Sequence, residues 1–336
     1  MVGIKDVATH ARVSVATVSR VLNGHTAVRA GTREKVLAAI DELGYRPNGV
    51  ARSLRTHQTH TLGLVISDVL NPFFTALARA VEDEARAHGY SVIIGNADEQ
   101  PALQDHHVRT LLDRRIDGLL VSPTDHCSPL LPDVARSGVP VVFLDRWIPG
   151  VEAPVVRTDG RQAIRDLVAH LYALGHRRLA IITGPTTTST GNERTDAFRE
   201  ALREHGLALP DAYCERGDFQ AGSGRRATAR FLDLPEPPEA VFATDNLMAL
   251  GAMDEIRARG LRVPDDLALA AFDDIPWFLH TDPPLTAIEQ PTGKLGHSAV
   301  RALIDLIEGR TAQPVALTAR LVTRRSCGEP DVGSSR

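Results

Sequence analysis

Hydrophobic residues in the first 45 positions recur at the spacing of short amphipathic helices. Three segments carry their apolar side chains on one face in this way: residues 4–11, 15–23 and 33–43. Ser14 and Thr32 stand directly before the second and third segments, and both residue types favour helix N-caps. Three short helices with a tight turn between the first two are typical of a helix-turn-helix domain.

Beyond residue 60 the pattern changes to short apolar runs that alternate with amphipathic segments. The runs with the composition of buried strands are 62–66, 91–95, 118–121, 139–144, 179–183, 240–243 and 267–272. Short buried strands that alternate with helices indicate parallel sheets covered on both faces. Because the strands fall into two successive groups, we predict an N-terminal all-α headpiece followed by an α/β body of two doubly wound parallel-sheet subdomains.

The composition is that of an ordinary globular protein. The chain has 336 residues, of which 43% are hydrophobic and 24% charged. We find neither an apolar stretch of about 18 residues nor a signal-peptide core, so we expect a cytoplasmic protein without membrane contact. The three cysteines, Cys127, Cys214 and Cys327, lack the spacing of a metal site or disulfide framework, and we expect no metal and no cofactor.

Charge is distributed unevenly along the chain. Residues 1–60 carry a net charge of +5, whereas the remainder carries −9. A basic end on an acidic body is the electrostatic pattern of a nucleic-acid-binding module. Double-stranded DNA is therefore the partner that we expect for the N-terminal helices.

The sequence contains no common catalytic motif. It has no P-loop, since residues 293–296 lack the required spacing, no G-x-S-x-G and no H-E-x-x-H. We therefore expect a protein that is not an enzyme and has no catalytic residues. A solute-binding protein without a DNA role is the alternative of another class, but the basic helices and the lack of a signal peptide argue against it.

Polar and aromatic residues follow several of the predicted strands. They occupy positions 68–74, 145–147, 183–194, 244–246 and 273–274. Ligands of doubly wound sheets bind beyond the carboxyl ends of the strands. The shared position of these residues in both subdomains predicts a ligand cleft between them.

Four sequence motifs strengthen this interpretation. They are D-V-A-T-H-A-R-V-S-V-A-T-V-S-R-V-L-N-G, T-R-E-K-V, L-G-Y-R-P-N and V-A-R-S-L. Together they resemble the lactose-repressor (LacI) family of bacterial transcription regulators, and the resemblance continues to the R-L-V-T-R-R-S-C segment that ends at Cys327.

The resemblance implies a division of the chain into three parts. The helix-turn-helix domain would span 1–47 and a hinge helix with its linker 48–60. A periplasmic-binding-protein-like body would span 61–330, with the first subdomain at about 61–158 plus 289–317 and the second at about 159–288 plus 318–330.

The resemblance also assigns roles to residues of the headpiece. The helix that begins at Val15 would enter the major groove, where Arg20 is suited to a bidentate contact with guanine. The residues implied at base edges are Val15, Ala16, Thr17 and Arg20. Those implied at phosphates, which fix register rather than sequence, are Ser14, Ser19, Asn23 and Thr32.

The segment from Asn48 to Leu54 resembles the hinge helix of the family. Leu54 would insert into a minor-groove base step and kink the DNA, with Val50 and Ala51 packed nearby. A plain interdomain linker is the alternative.

In the body, the motifs N-P-F-F, G-D-F and F-D-D resemble the purine-repressor branch of the family. The resemblance implies that Phe73 and Phe219 stack on a ligand ring. Arginine would bind ligand oxygens, and aspartate would bind hydroxyl or N–H groups. The polar effector-binding residues implied in this way are Asp145, Arg146, Thr190, Arg194 and Asp273.

Two departures from the family pattern bear on the ligand. Thr188 stands where the purine branch has a ligand-contacting arginine, and Thr244 stands where many sugar-binding relatives have asparagine. We favour a sugar or sugar derivative, with a purine or nucleoside corepressor as the alternative. A regulator whose pocket binds nothing also remains open.

Operator recognition implies a dimer, because a two-fold symmetric protein matches a palindromic site. We expect a homodimer that pairs through the body. We also expect a repressor, in which effector binding changes the relative position of the two subdomains and of the hinge segments joined to them.

Overall fold

This computed structural model describes residues 2–22, 28–45, 58–126 and 128–328. The chain divides into two compact units, Met1–Thr59 and His60–Arg336. The first unit contains the helix-turn-helix motif and the second contains the α/β body.

The N-terminal unit has helices α1 (Ile4–His10), α2 (Val15–Leu22) and α3 (Ala30–Glu42). Their apolar faces meet in a small core made of Val7, Ala8, Ala11, Val18, Val21, Val36 and Ala39. Between α1 and α2 the backbone reverses at Arg12, which has a φ of 52°. These elements confirm the predicted helix-turn-helix.

One of the two predicted helix caps is confirmed and the other is wrong. The Ser14 hydroxyl accepts a hydrogen bond of 3.1 Å from the backbone N–H of Thr17, at the start of α2. Helix α3 begins at Ala30 rather than after Thr32, and Arg29 is its N-terminal flanking residue. Alanine is a strong helix former, so the helix gains an additional turn and places Thr32 inside it.

The body contains eight helices and twelve strands among the described residues. The helices are α4 (Pro72–Ala87), α5 (Pro101–Asp113), α6 (Leu130–Arg136), α7 (Arg161–Ala173), α8 (Ser189–Glu204), α9 (Ala221–Leu232), α10 (Asn246–Ala258) and α11 (Thr292–Ile307). The strands are β1 (Thr61–Ile66), β2 (Ser91–Asn96), β3 (Gly118–Val121), β4 (Val141–Leu144), β5 (Val155–Asp159), β6 (Leu179–Thr183), β7 (Cys214–Arg216), β8 (Ala240–Ala243), β9 (Ala268–Phe272), β10 (Thr286–Glu289), β11 (Val315–Thr318) and β12 (Arg320–Val322).

The strands form two six-stranded sheets. The first has the order β11-β5-β4-β3-β1-β2 and is parallel throughout. The second has the order β12-β10-β9-β8-β6-β7 and is parallel except for the antiparallel edge strand β12. Two doubly wound subdomains are therefore confirmed, with one antiparallel edge that the sequence pattern did not predict.

Both faces of each sheet are covered by helices, as parallel sheets require. In the first subdomain α4 and α11 pack on one face, and α5 and α6 pack on the other. In the second subdomain α9 and α10 cover one face, and α7 and α8 cover the other.

The chain crosses between the subdomains three times. It leaves the first sheet after β5, returns from β10 to α11, and crosses again between β11 and β12. These crossings hold the two subdomains side by side, so that the carboxyl ends of both sets of strands border one cleft.

Five strands were not predicted from the sequence: β5, β7, β10, β11 and β12. They are three to five residues long, and most lack the continuous apolar run of a central strand. Strand β4 is shorter than predicted because Pro140, within the predicted run, has no N–H to donate to the sheet.

No helix among the described residues is long and apolar enough to cross a membrane. The same part of the chain contains no group of three or more His, Cys, Asp or Glu side chains that could hold a metal ion.

Candidate functional site

The sequence analysis assigns the start of α2 to DNA binding, and this part of the headpiece is exposed. Val15 is 40% exposed, whereas Val18 and Val21 are buried in the core of the unit. Ala16 and Arg20 are exposed as well. The exposed surface of α2 therefore carries an apolar and a charged side chain, the two kinds of group that can contact base edges in a groove of DNA.

The residues implied at phosphates are less uniform in their surroundings. Ser14 is exposed, whereas Thr17, Ser19 and Thr32 are half-buried. The hydroxyls of Ser14 and Thr17 lie 2.9 Å apart and share a hydrogen bond. Asn23, Val50, Ala51 and Leu54, together with the rest of the predicted hinge helix, lie outside the described residues.

In the body, three residues at the ends of strands have left-handed backbone conformations. Asp145 follows β4 with a φ of 67°, Asp273 follows β9 with a φ of 70°, and Phe219 lies beyond β7 with a φ of 62°. Such conformations cost about 1–3 kcal/mol each in residues other than glycine, and they cluster at ligand sites. All three were predicted as effector residues.

Arg146 is the central cation on the first-subdomain side of the cleft. Its guanidinium donates two hydrogen bonds of 2.7 Å to the Glu99 carboxylate, and its Nε lies 3.9 Å from an oxygen of Asp145. Its guanidinium carbon lies 4.6 Å from the ring centroid of Phe219 and 5.7 Å from that of Phe74. Because Phe219 belongs to the second subdomain, this cation–π contact crosses the cleft.

Arg194 has the corresponding position on the second-subdomain side. It donates a 2.7 Å hydrogen bond to the Thr244 carbonyl and lies 3.8 Å from the Asp273 carboxylate. Its guanidinium also stacks on Phe272, 3.7 Å from the ring centroid. Gln290 donates to Asp273 from the other side. These contacts fix the arginine in one orientation.

Three polar atoms at the cleft are buried and have no hydrogen-bond partner: Arg146 Nε, Asn246 Oδ1 and Gln290 Oε1. A buried polar atom without a partner costs about 1–3 kcal/mol, and native proteins rarely contain one without a reason. One donor and two acceptors are therefore available to a polar ligand.

Burial of the cleft carboxylates alters their titration. Loss of solvent raises the pKa of Asp145 to about 6 and that of Asp245 to about 7. Burial also raises the pKa of Asp273, although Arg194 opposes the shift. A ligand group that donates a hydrogen bond to one of these buried carboxylates would stabilise its charged form.

Direct hydrogen bonds join the two walls of the cleft. Asn71 donates to Asp245 at 3.0 Å and accepts from Asn246 at 2.8 Å. Gln220 donates to Asp68 at 3.0 Å, and the backbone N–H of Trp147 donates to the Ser189 hydroxyl at 3.2 Å. The structure therefore shows the cleft in a closed arrangement.

Comparison with known proteins identifies the family that has this architecture. Residues 3–48 match the model of bacterial regulatory proteins of the lacI family, and residues 168–327 match that of the periplasmic binding protein-like domain. The HTH-type transcriptional repressor CytR of Escherichia coli is 36% identical over 307 residues, which cover 91% of this chain and 90% of that protein. The chain belongs to the LacI family.

Two further LacI-family proteins match over nearly the full length. The ribose operon repressor of Escherichia coli is 37% identical over 330 residues and covers 97% of this chain and 100% of its own. A crystal structure of the lac repressor dimer, bound to operator and the anti-inducer ONPF, superposes with a TM-score of 0.87 at 32% identity and covers 98% of this chain and 99% of that one. LacI-family membership makes this chain a DNA-binding transcription regulator rather than an enzyme.

Within this LacI-family body, most of the implied effector residues lie together. The structure brings five of them to the facing walls of the cleft: Asp145, Arg146, Arg194, Phe219 and Asp273. Thr190 lies one helical turn before Arg194, and both border a small internal cavity of about 20 Å³. Phe73 is buried and packs edge-on against Phe74, and it is Phe74 that approaches Arg146.

Glu99 and Gln290 are among the residues of the cleft that the sequence analysis did not predict. Glu99 lies beyond the carboxyl end of β2, so the rule that located the other residues could have found it. Gln290 follows β10, a strand that the sequence pattern did not predict, and therefore gave no such signal.

The two departures from the family pattern have structural roles. The Thr188 hydroxyl accepts from the Gly191 N–H at 3.1 Å, which caps α8, and donates to the Pro185 carbonyl. The Thr244 hydroxyl donates to the Ile182 carbonyl at 2.9 Å. These hydrogen bonds direct both hydroxyl protons toward backbone carbonyls rather than toward a ligand.

Proposed function

We propose that this LacI-family protein is a repressor that binds a palindromic operator as a homodimer and is controlled by a sugar or sugar derivative in the cleft. The dimer and operator are supported by the lac repressor complex, which has the same architecture. Binding to chromosomal DNA would place its action in the cytoplasm, at the nucleoid. The proposal divides the chain into a headpiece at 1–47, a hinge at 48–60 and a body at 61–330. It also keeps the subdomain boundaries that we expect from the sequence.

One observation carries the choice of effector: two arginine–aspartate pairs, one from each subdomain, face the same closed cleft. The pairs are Arg146 with Asp145 and Arg194 with Asp273. A sugar hydroxyl both donates and accepts, so each pair can hold a vicinal diol through one carboxylate acceptor and one guanidinium donor. The unpartnered acceptors Asn246 Oδ1 and Gln290 Oε1 would take further hydroxyl protons.

The purine alternative lacks a comparable observation. At position 188 the purine branch of the family has an arginine, whereas this chain has a threonine whose hydroxyl caps α8. Phe219, which would stack on a base, instead contacts the guanidinium of Arg146. The guanidinium therefore already covers one face of this ring in the closed cleft.

Effector control would act through closure of the cleft. A ligand that binds both arginine–aspartate pairs stabilises the closed body relative to an open one, and thereby changes the positions of the two hinge segments in a dimer. A coupling free energy of about 1–3 kcal/mol is typical of such regulators.

Isothermal titration calorimetry tests the effector class. D-ribose, D-xylose, D-glucose, D-galactose, hypoxanthine and guanine are each titrated into the full-length protein. We expect at least one sugar to bind and the two purine bases not to bind. Binding of purines without binding of any sugar would contradict the proposal.

A further inference from the structure

A separate cavity lies within the second subdomain, between α8 and the carboxyl ends of β6 and β7. Its volume is about 180 Å³, and we call it the α8 cavity. All of its lining residues belong to the second subdomain, so neither wall is shared with the first. They are Thr183, Thr186, Asn192, Thr195, Asp196, Arg199, Cys214 and Arg216.

Helix α8 presents opposite faces to the effector cleft and to this cavity. Thr190 and Arg194, which were assigned to the effector, lie one turn apart on one face. Asn192, Thr195 and Arg199 lie on the other, since residues at i, i+3 and i+7 share one side of a helix. The α8 cavity is therefore a site outside the effector cleft.

The side chains of β7 alternate between α8 and the opposite face of the sheet, as those of any strand do. The Cys214 thiol lies 3.9 Å from the Arg199 guanidinium of α8, whereas Glu215 binds Arg230 of α9 on the other face. Arg216 is two positions after Cys214 and therefore projects on the side of α8. Its guanidinium faces the cavity.

Two hydrogen-bond donors of the cavity have no protein partner. Thr183 lies two positions after Ile181, which packs on the side of α8, and it is only 6% exposed. Its hydroxyl forms no hydrogen bond with any residue that the structure describes, which is uncommon for a buried threonine. The exposed guanidinium of Arg216 likewise forms no hydrogen bond or ion pair within the described part of the chain.

Positive charge predominates among the lining residues. Arg199 and Arg216 face a single carboxylate, that of Asp196. The Arg199 guanidinium lies 3.7 Å from this carboxylate, and both side chains are about half-exposed, so the ion pair between them is weak. Since guanidinium N–H groups form charge-assisted hydrogen bonds with oxyanions, the cavity is suited to an anion.

The size of the cavity and the placement of its donors favour a phosphate group. The volume is below the range of about 300–1,000 Å³ that is typical of pockets for larger small molecules. The donors come from three elements, with Thr183 on β6, Arg199 on α8 and Arg216 on β7. A tetrahedral phosphate directs oxygens to several sides, whereas a carboxylate has two oxygens in one plane.

We propose that the α8 cavity binds a phosphate group, which is either free phosphate or the phosphoryl group of a small ester. Arg199 and Arg216 bind its oxygens through their guanidinium N–H groups, and Thr183 donates its hydroxyl proton. Binding here requires no sugar in the cleft, so the inference is independent of the proposed effector.

Calorimetry on the full-length protein, at constant ionic strength in a buffer without phosphate, tests the site. The probes are inorganic phosphate, glycerol 3-phosphate, acetate and glycerol. We expect at least one of the two phosphate probes to bind about tenfold more tightly than acetate, and glycerol not to bind. The tighter phosphate probe identifies the source of the group. Acetate that binds as tightly as both phosphate probes would contradict the assignment to phosphate.

Arg216→Gln links the binding to the α8 cavity. The substitution removes the charge of an exposed side chain without a protein partner, and we expect the tighter phosphate probe to bind about tenfold more weakly. Arg203→Gln is the matched control, because Arg203 is an exposed arginine in the last turn of α8 that is not among the lining residues. Equal affinities in the two variants would place the phosphate elsewhere and overturn the proposal.

Thr183→Val separates ligand binding from stability. The hydroxyl that it removes has no protein partner, so we expect an unchanged melting temperature and a loss of about threefold to tenfold in phosphate affinity. A lower melting temperature with unchanged phosphate affinity would show that the hydroxyl serves the fold instead. No binding of either phosphate probe to the wild-type protein would overturn the site and leave the sugar effector standing.

Discussion

The side-chain amide of Asn71 donates a hydrogen bond of 3.0 Å to the Asp245 carboxylate across the cleft. Each residue also caps a helix in its own subdomain, since Asn71 accepts from the Phe73 N–H of α4 and Asp245 accepts from the Leu247 and Met248 N–H groups of α10. The contact therefore joins the first turns of two helices. Its geometry depends on cleft closure, whereas both caps can persist when the cleft opens.

Replacing this amide with a carboxylate should disfavour closure. Asn71→Asp keeps the cap on α4 but places a second carboxylate against Asp245, and above a pH of about 7, where Asp245 is ionised, like charges in contact cost several kcal/mol. We expect the affinity for the effector to fall by about tenfold or more, with little change in the melting temperature. Calorimetry with the best sugar probe, together with a melting curve, measures both quantities.

The control for this substitution is Asn192→Asp. Asn192 is an exposed asparagine in the same body, and its amide donates to the Thr186 carbonyl rather than across the cleft. A similar loss of affinity in both variants would show that the contact between Asn71 and Asp245 does not control closure.

Arg194 should be required for the effector response but not for DNA binding. Arg194→Met keeps an unbranched apolar side chain against Phe272 and removes the guanidinium that faces Asp273. We expect effector binding to weaken by about a hundredfold, since hydrogen bonds to charged groups contribute about 1.5–3 kcal/mol each. Operator binding without effector should stay within about twofold of wild type in a fluorescence-anisotropy titration. A variant that still responds to effector would move the site elsewhere.

Arg20 should read a base rather than a phosphate. Arg20→Ala is expected to cost about 1–3 kcal/mol of operator affinity and to relax the preference at one guanine. Lys5→Ala serves as the control, because it removes a positive charge from α1 rather than from the helix assigned to the major groove. If Arg20→Ala weakened binding to all sequences equally, as the loss of a phosphate contact would, the base assignment would be wrong.

The buried aspartates should make the stability of the body depend on pH. The pKa of Asp145 rises from 3.8 in the unfolded chain to about 6 in the folded one, and that of Asp245 rises to about 7. The folded body thus holds protons that the unfolded chain releases, so their stabilising effect is complete below pH of about 4 and is lost as the pH rises through 6 to 7. We expect the melting temperature to fall between pH of about 4 and 7 and to level off above pH of about 7.

Tryptophan fluorescence isolates this effect, because the two tryptophans, Trp147 and Trp277, both belong to the body. Asp145→Asn is the informative variant, since asparagine tolerates the left-handed backbone at this position and does not titrate. Its melting temperature should depend less on pH than that of wild type. An identical pH dependence in both proteins would contradict the assignment to Asp145.

The sequence predicted the central strands and the helix-turn-helix because both rest on local patterns. Strands β3, β6 and β8 have the predicted bounds, since each is a continuous apolar run in the middle of a sheet. The shorter strands at and near the edges escaped prediction, because their pairing partners, rather than their own composition, define them. Strand β11, for example, pairs with β5 although more than 150 positions separate them.

Some residues of the effector cleft could likewise be predicted from local patterns, and others could not. The position of Asp145 and Asp273 beyond strand ends and the family motifs were sufficient to choose them. The closed contact between Asn71 and Asp245 and the role of Gln290 depend on distant segments that the chain brings together by crossing between sheets. The sequence pattern contains no measure of these distances.

Selection of bound sequences from a random DNA pool, at near-physiological salt, tests the central claim most directly. The purified full-length protein is used both alone and with each sugar probe. The account predicts enrichment of a palindrome with a central C-G step, because a dimer reads two equivalent half-sites and Leu54 is predicted to insert between them. Recovery of sequences without two-fold symmetry, or of none above a salt-sensitive background in every condition, would contradict it.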